Sequence, residues 1–345
     1  MYKYFSSDYF NRNRTESLKG FLALAVLFHH LYQKTQIVEH STFFGFFLQS
    51  LGYYCVSIFF FISGYGLLMS FNRGGYLRTY QQNRVLPILI INALLVFVYA
   101  LQKELLDIEV TWDNICLSLI YGGDIVDNGW YLLCIIVFYE LFYVSGRFFP
   151  KQISKCVFLF TVFYIMLAFY KMPTWWYISS LAFPFGVSFG KYKIKVDEIF
   201  RKHFLLCSSC CIIAYLSCFI LLFYGQKESE PLLSMSHYQA VAFNLLLSFM
   251  HGVLTCFLIV CAMMLKGRNR FCIPSQPMRW LSSIYLEIYV MQGLAFNFLR
   301  NSRWYLDNDY LFAVSSIVLT IVLSVIIHPV FLRIIAFVRV PKQSK

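Results

Sequence analysis

Apolar runs long enough to cross a bilayer recur along the whole of this 345-residue chain. No stretch between them is long enough to build a soluble domain. A hydrocarbon layer about 30 Å thick takes roughly 20 apolar residues in a helix, which satisfies its own backbone there. The runs fall at 18–34, 46–71, 85–102, 130–148, 155–170, 174–190, 203–224, 240–265, 281–299 and 311–337. They predict an all-α polytopic membrane protein, a bundle of about ten transmembrane helices, with residues 1–345 forming one membrane domain and no separate soluble domain. Hydrophobic residues at 59% and charged residues at 13% exclude an ordinary soluble globule. The first run carries His29, His30 and Tyr32 and has no small-residue cleavage site, so it reads as a retained helix and not a signal peptide.

The charges between the runs test this count, because cytoplasmic loops collect Lys and Arg. One side takes Lys3, Arg12, Arg14, Arg73, Arg78, Arg84, Arg147, Lys151, Lys155, Lys191, Lys193, Lys195, Arg201, Lys202, Lys266, Arg268, Arg270, Arg279, Arg333, Arg339, Lys342 and Lys345. The other takes only Lys34, Lys103, Lys171, Lys227, Arg300 and Arg303, a ratio of 22 to 6 with Lys19 at the mouth of the first helix. Both termini are therefore expected in the cytoplasm. The net charge of +12 follows from that asymmetry and makes no case for nucleic-acid binding. Between 102 and 129 the acids Glu104, Asp107, Glu109, Asp113, Asp124 and Asp127 gather in the longest external connection. There, Trp112, Leu117 and Ile120 fit either a short amphipathic element on the membrane surface or a solvated connector.

The eleven cysteines point to no metal: Cys207, Cys210 and Cys211 sit in an apolar run with no His or carboxylate to complete a zinc set. Pro173, Pro184 with Gly186, and Gly252 are expected to kink the sixth and eighth helices. There is no nucleotide loop and no strong internal repeat, which disfavours a transporter built from inverted halves.

The ionisable residues inside the runs need a reason, since lipid penalises each of them. Lys19 and His30 stand eleven positions apart, three helical turns, so they share a face about 16 Å apart along the axis, and His29 points elsewhere. Lys19 snorkelling to headgroups beside an interfacial His pair is one reading. A catalytic imidazole is the other. Glu140, Glu287, Gln292, His251 and His328 are also within runs, and Arg84, Arg78 and Lys19 are the cations at the depth of Glu287. At least one ion pair among them is expected, as helix glue or as part of a site.

In their order and spacing, several patterns resemble the acyltransferase 3 family of integral membrane O-acyltransferases, over about residues 12–337. Glu16-Ser-Leu-Lys19-Gly20 followed by His30 is similar to the family's basic residue, ten positions and histidine. Ser57-Ile-Phe-Phe-Phe-Ile-Ser63-Gly64-Tyr65 resembles its Phe-Phe-x-x-Ser-Gly signature. Arg84-Val-Leu-Pro87, Trp130-Tyr-Leu, and Ser282-Ser-Ile-Tyr-Leu-Glu287-Ile-Tyr289-Val-Met-Gln292 resemble its later motifs. Three positions depart from the pattern: Lys19 stands where arginine is commoner, Gln81 where an Arg-x-x-Arg pair often begins, and Gln292 at a frequent histidine. A lysine still binds phosphate, as a point charge without bidentate geometry. No hydrolase-like domain follows the tenth run, so the chain is expected to finish the transfer itself or pass the acyl group to a partner.

The resemblance implies transfer of an acetyl or other short acyl group from acyl-CoA, such as acetyl-CoA, to a hydroxyl of a cell-surface carbohydrate or its lipid-linked precursor. It implies His30 and Glu287 as catalytic residues and Lys19, Arg78 and Arg84 as cations for the donor. Glu16, Ser63, Trp130 and Gln292 would support them, with Glu16 orienting Lys19 one turn away. It implies no permanently bound cofactor and no metal, a lipid bilayer as environment, and a multi-pass place in a cell membrane, the bacterial inner or plasma membrane. A non-enzymatic transporter or flippase for a lipid-linked sugar is the competing reading, with the same charges lining a path.

Overall fold

The computed structural model describes residues 9–123, 125–227, 237–265, 276–301 and 303–339. Lys3, Asp124, Lys266, Arg268, Arg270, Lys342 and Lys345, used above in the charge argument, lie outside the described residues. The described residues form twelve α-helices: α1 (Arg12–Lys34), α2 (Phe43–Phe71), α3 (Leu86–Leu105), α4 (Trp112–Tyr121), α5 (Trp130–Phe148), α6 (Ile153–Lys171), α7 (Ala182–Lys202), α8 (Phe204–Lys227), α9 (His237–Met264), α10 (Gln276–Ser283), α11 (Tyr285–Leu299) and α12 (Asp309–Val338). Among the described residues no strand forms, and Arg300 and Tyr305 make an isolated antiparallel bridge.

Seven helical segments are long and apolar enough to cross a membrane: Phe43–Phe71, Gln81–Leu105, Trp130–Phe148, Pro150–Lys171, Phe204–Gly225, Val241–Met264 and Asp309–Val338. The other three predicted runs are helical, but each differs from expectation for a local reason. α1 spends its first turns on polar residues, from Arg12 to Glu16. The run at 174–190 does not start as a helix: behind the extended Pro173, Thr174–Trp176 form a 3-10 turn, and α7 begins only at Ala182. It then continues through the basic stretch Lys191–Lys202, past the predicted end. The run at 281–299 is broken at Ile284, whose backbone leaves the helical region, so α11 has 15 residues. The 112–121 segment is the helix α4, whose N-terminus is closed by a reciprocal cap between Thr111 and Asn114. Trp112, Leu117 and Ile120 on it are all exposed.

The chain divides into two compact units that interleave in sequence. One comprises Met1–Ala25, Val38–Ser70 and Ser154–Ser283; the other comprises Val26–Ile37, Phe71–Ile153 and Ile284–Lys345. In the first unit, small residues let helices approach through their backbones. A Cβ on Gly64 of α2 would stand 2.3 Å from the Phe183 carbonyl oxygen, and one on Gly186 of α7 would stand 2.1 Å from that of Phe61. The two glycines therefore serve one contact from opposite sides. Gly252 of α9 likewise faces Ser57, with a Cβ 2.7 Å from its Oγ, and Gly20 of α1 faces the Met278 carbonyl oxygen at 2.0 Å. Gly186 and Gly252, expected above as kink sites, thus serve as packing surfaces in the fold. His251 is wholly buried in this unit, its Nδ1 2.8 Å from the Tyr53 hydroxyl and its ring 4.2 Å from that of Tyr215.

In the second unit the Tyr99 hydroxyl donates to the Val290 carbonyl (2.6 Å) and the Gln102 amide to that of Leu294 (2.7 Å). Both positions advance together, so α3 and α11 run parallel. Leu27 and Leu31 of α1 pack with Phe296 of α11 and Phe312 of α12 in one apolar cluster. Beside that cluster Arg300 donates to the carbonyls of Lys34 and Leu306 and pairs with Asp309, while Asp309 accepts from the Gln36 backbone. The Arg300 guanidinium also lies 3.9 Å over the Phe312 ring.

Candidate active site

The second unit holds most of the residues singled out in the sequence. His30 is half-buried near the end of α1, with Nδ1 3.1 Å from the Gln33 side-chain oxygen one turn later. That bond orients the imidazole and leaves Nε2 for another partner. His29 occupies a different face, and its ring centroid is 4.8 Å from that of His30. At 7% exposure it is packed into protein. Leu27 and Leu31 on either side of the pair fix this turn of α1 against α11 and α12.

Arg84 stands on a π-helical turn, Gln81–Val85, that leads into α3 through Pro87. Such turns widen the helix and turn side chains out of register. The Arg84 Nε donates to the Tyr76 hydroxyl at 2.8 Å, and the guanidinium lies 5.8 Å from that ring's centre. Tyr80 ties the same segment to α5 by donating to the Tyr139 carbonyl at 3.0 Å. Arg84 is within electrostatic reach of Tyr139, Tyr76 and Tyr80. Just past the end of α12, Arg339 has its pKa lowered by burial and then by the like charge of Arg84. Arg78 is exposed on the 3-10 turn one step earlier, Tyr76–Thr79.

Glu287 is buried at the start of α11, and its carboxylate oxygen is 2.6 Å from Nδ1 of His328 on α12. The side chains are 6% and 24% exposed, so the pair lies mostly out of solvent. This corrects the expectation that Arg84, Arg78 or Lys19 would be its partner. The antiparallel pairing of α11 and α12 brings together two residues 41 positions apart, which no local spacing reveals. Arg84 and Glu287 nonetheless share a neighbourhood, since Tyr285 is within electrostatic reach of Tyr139, Glu287 and Arg84. Tyr131, next to Trp130 at the start of α5, has its ring 4.8 Å from that of Tyr289. Glu140 accepts from the Gln81 amide at 2.9 Å, so the residue standing at an arginine position of the motif holds a carboxylate by an amide.

Gln292 is wholly buried, its amide nitrogen donating to the Tyr289 carbonyl. His30 and Glu287 are not adjacent along α11: the Leu31 level is that of Phe296, nine residues and about 14 Å from Glu287. Lys19, Glu16 and Ser63 belong to the first unit. Lys19 is half-buried there, and Ser63 precedes the packing glycine Gly64. Glu16 pairs with Arg12 one turn earlier at 2.6 Å. Among the described residues no group of three or more His, Cys, Asp or Glu side chains could hold a metal ion.

Three groups of this neighbourhood escaped the sequence reading as site residues: His328, Arg339 and the phenols of Tyr76, Tyr139 and Tyr285. Only His328 carried a signal, as the last member of a four-residue-spaced polar row on α12. An acyltransferase-domain family model matches residues 13–329. No curated protein and no solved structure matches the chain.

Proposed function

Because the chain belongs to the acyltransferase 3 family, we propose that it transfers an acetyl or other short acyl group from acyl-CoA to a hydroxyl of a cell-surface carbohydrate or its lipid-linked precursor. The observation that carries this reading is the family match over 13–329, which takes in His30 on a turn of α1 packed against α11 and α12. His30 removes the proton of the acceptor hydroxyl as its oxygen attacks the thioester carbonyl. The carbon–sulfur bond breaks, and the imidazolium returns the proton to the departing thiolate. Gln33 supports this by holding the other ring nitrogen.

A coenzyme A donor brings several phosphates, which call for cations outside the lipid. Arg84, with Arg339 in electrostatic range and Arg78 on the preceding turn, offers such a place. Glu287 acts at a distance, through its contact with His328 on the same unit. Trp130 and Gln292 support the walls around Tyr131 and Tyr289.

On this reading the chain sits in a cell membrane with ten spans and both termini in the cytoplasm, which the 22-to-6 division of Lys and Arg supports. A reporter fused after Lys345 is expected on the cytoplasmic side and one inserted near Asp113 outside. The opposite result for Asp113 would overturn the span assignment.

Membranes containing the protein are expected to consume acetyl-CoA and acylate a carbohydrate acceptor. Transport of a lipid-linked sugar with no thioester turnover would replace this reading with a flippase. Lys19 separates donor binding from chemistry. If it holds a donor phosphate, Lys19→Ala raises the KM for acetyl-CoA, Lys19→Arg is tolerated, and the defect changes with salt over a screening length of about 8–10 Å. A fall in kcat at unchanged donor KM would exclude that role for Lys19.

A further inference from the structure

The basic end of α7, residues 191–202, lies wholly in the first unit and has two unlike faces. The inner face is tied down. Tyr9, on the chain ahead of α1, is fully buried and donates to the Asp197 carboxylate. Lys193 pairs with the other oxygen of that carboxylate at 2.6 Å, and its ammonium lies 4.2 Å from the centre of the Tyr9 ring. Phe200 stacks on Phe257 of α9 with ring centres 6.4 Å apart. Lys193 therefore has its counter-charge within the protein.

The outer face is built differently. Lys191, Ile194, Lys195, Glu198, Ile199 and Lys202 are all exposed. Steps of four and eleven residues bring Lys191, Lys195 and Lys202 onto one line along the helix, about 16 Å long, with Glu198 as the single acid among them. Ile194 and Ile199 flank the line on either side and are 85% and 54% exposed. Lysines interleaved with bare isoleucines suit the boundary between headgroups and acyl chains, where a helix meets charge and hydrocarbon together. The chain runs into that boundary. α8, which is apolar enough to cross a membrane, starts at Phe204, and its first turn exposes Leu205 and Leu206. Lys202 is three residues from Leu205, no more than about 10 Å of chain, so the lysine line ends at the edge of the lipid.

We propose that the outer face of α7 between Lys191 and Lys202 binds anionic phospholipid of the surrounding bilayer. Lys191, Lys195 and Lys202 meet the headgroup phosphates, their alkyl stems lying along the helix, while Ile194 and Ile199 enter the upper acyl layer. The inner face, fixed by Tyr9 and Asp197, keeps this segment docked on the protein as the outer face takes lipid. This does not depend on the acyl-transfer reading.

The test is a native mass-spectrometric titration of the full-length, detergent-solubilised protein with phosphatidylglycerol and, separately, phosphatidylcholine. The wild type is expected to bind the first phosphatidylglycerol more tightly than the first phosphatidylcholine. Replacing Lys191, Lys195 and Lys202 together by Gln is expected to weaken phosphatidylglycerol binding roughly tenfold or more, since each lysine near an anionic headgroup layer adds to binding. Phosphatidylcholine binding should stay as it was. Lys151→Gln with Lys155→Gln, on the basic connection between α5 and α6, is the control and should leave the preference intact. Melting curves of both variants establish that they are folded, and surface lysines are expected to be replaced without loss of the fold. No preference for phosphatidylglycerol in the wild type, or an equal loss in the control variant, overturns the proposal. Displacement of the bound phosphatidylglycerol by coenzyme A, with the triple variant losing coenzyme A binding, would assign the lysines to a nucleotide and overturn it too. Neither titration requires turnover, so failure of the enzymatic reading is distinguished from failure of this one.

Discussion

His30→Ala is expected to reduce acyl transfer by on the order of 100-fold to 10,000-fold in kcat, the range lost when a general base is removed, with the protein still in the membrane. The half-buried His30 is oriented by Gln33 and flanked by leucines that pack on α11 and α12, so removing its imidazole takes away a proton acceptor without opening the core. His29→Ala should act differently. His29 is buried at 7% exposure and on another face of α1, so its loss is expected to lower thermal stability and leave most of kcat. Parallel activity and melting measurements on the two variants decide the matter. Equal losses of kcat in both would mean that the histidines act together as packing, and His30 would lose its assignment as the base.

The second large effect is expected at Glu287. Glu287→Ala leaves His328 without its partner in a mostly buried place, at a cost of about 1.5–3 kcal/mol for a hydrogen bond involving a charged group. A double-mutant cycle with His328→Ala in detergent-solubilised protein should return a coupling on the order of 1 kcal/mol or more. For activity, Glu287→Gln is expected to be worse than Glu140→Gln. Glu140 is held by the Gln81 amide, which can bond a second amide as readily, whereas a glutamine at 287 replaces the carboxyl that faces His328. A coupling near zero, or equal activity in the two glutamine variants, would reduce Glu287 to a packing residue.

The class of the fold was legible because bilayer thickness imposes a length on apolar helices, and the runs carried it openly. Where the sequence and the structure part, the reason is local chemistry that a hydropathy window averages away. Pro173 delays α7, and Ile284 splits the ninth run. The family resemblance was readable from His30, Ser63-Gly64, Arg84 and Glu287 in order, and the family match bears it out. The partner of Glu287 was not readable, since the pairing depends on how far α12 slides along α11. Side-chain charge pointed toward arginine; helix register delivered a histidine. Gly64 shows a further limit: the sequence offered it only as part of a signature, and the structure gives it a close approach to the Phe183 backbone.

The Arg300 clamp bears on how variant screens of this protein are interpreted. One guanidinium fastens the last residue of α1, the turn after α11 and the first residue of α12. The imidazole of His30 sits one turn before that fastening. A library that scores only product would therefore rank Arg300 and Asp309 beside His30, although neither is placed among the groups that bind donor or acceptor. Sorting such hits by whether raised expression or lowered temperature restores turnover would separate residues that hold the end of α1 in place from the one that moves the proton.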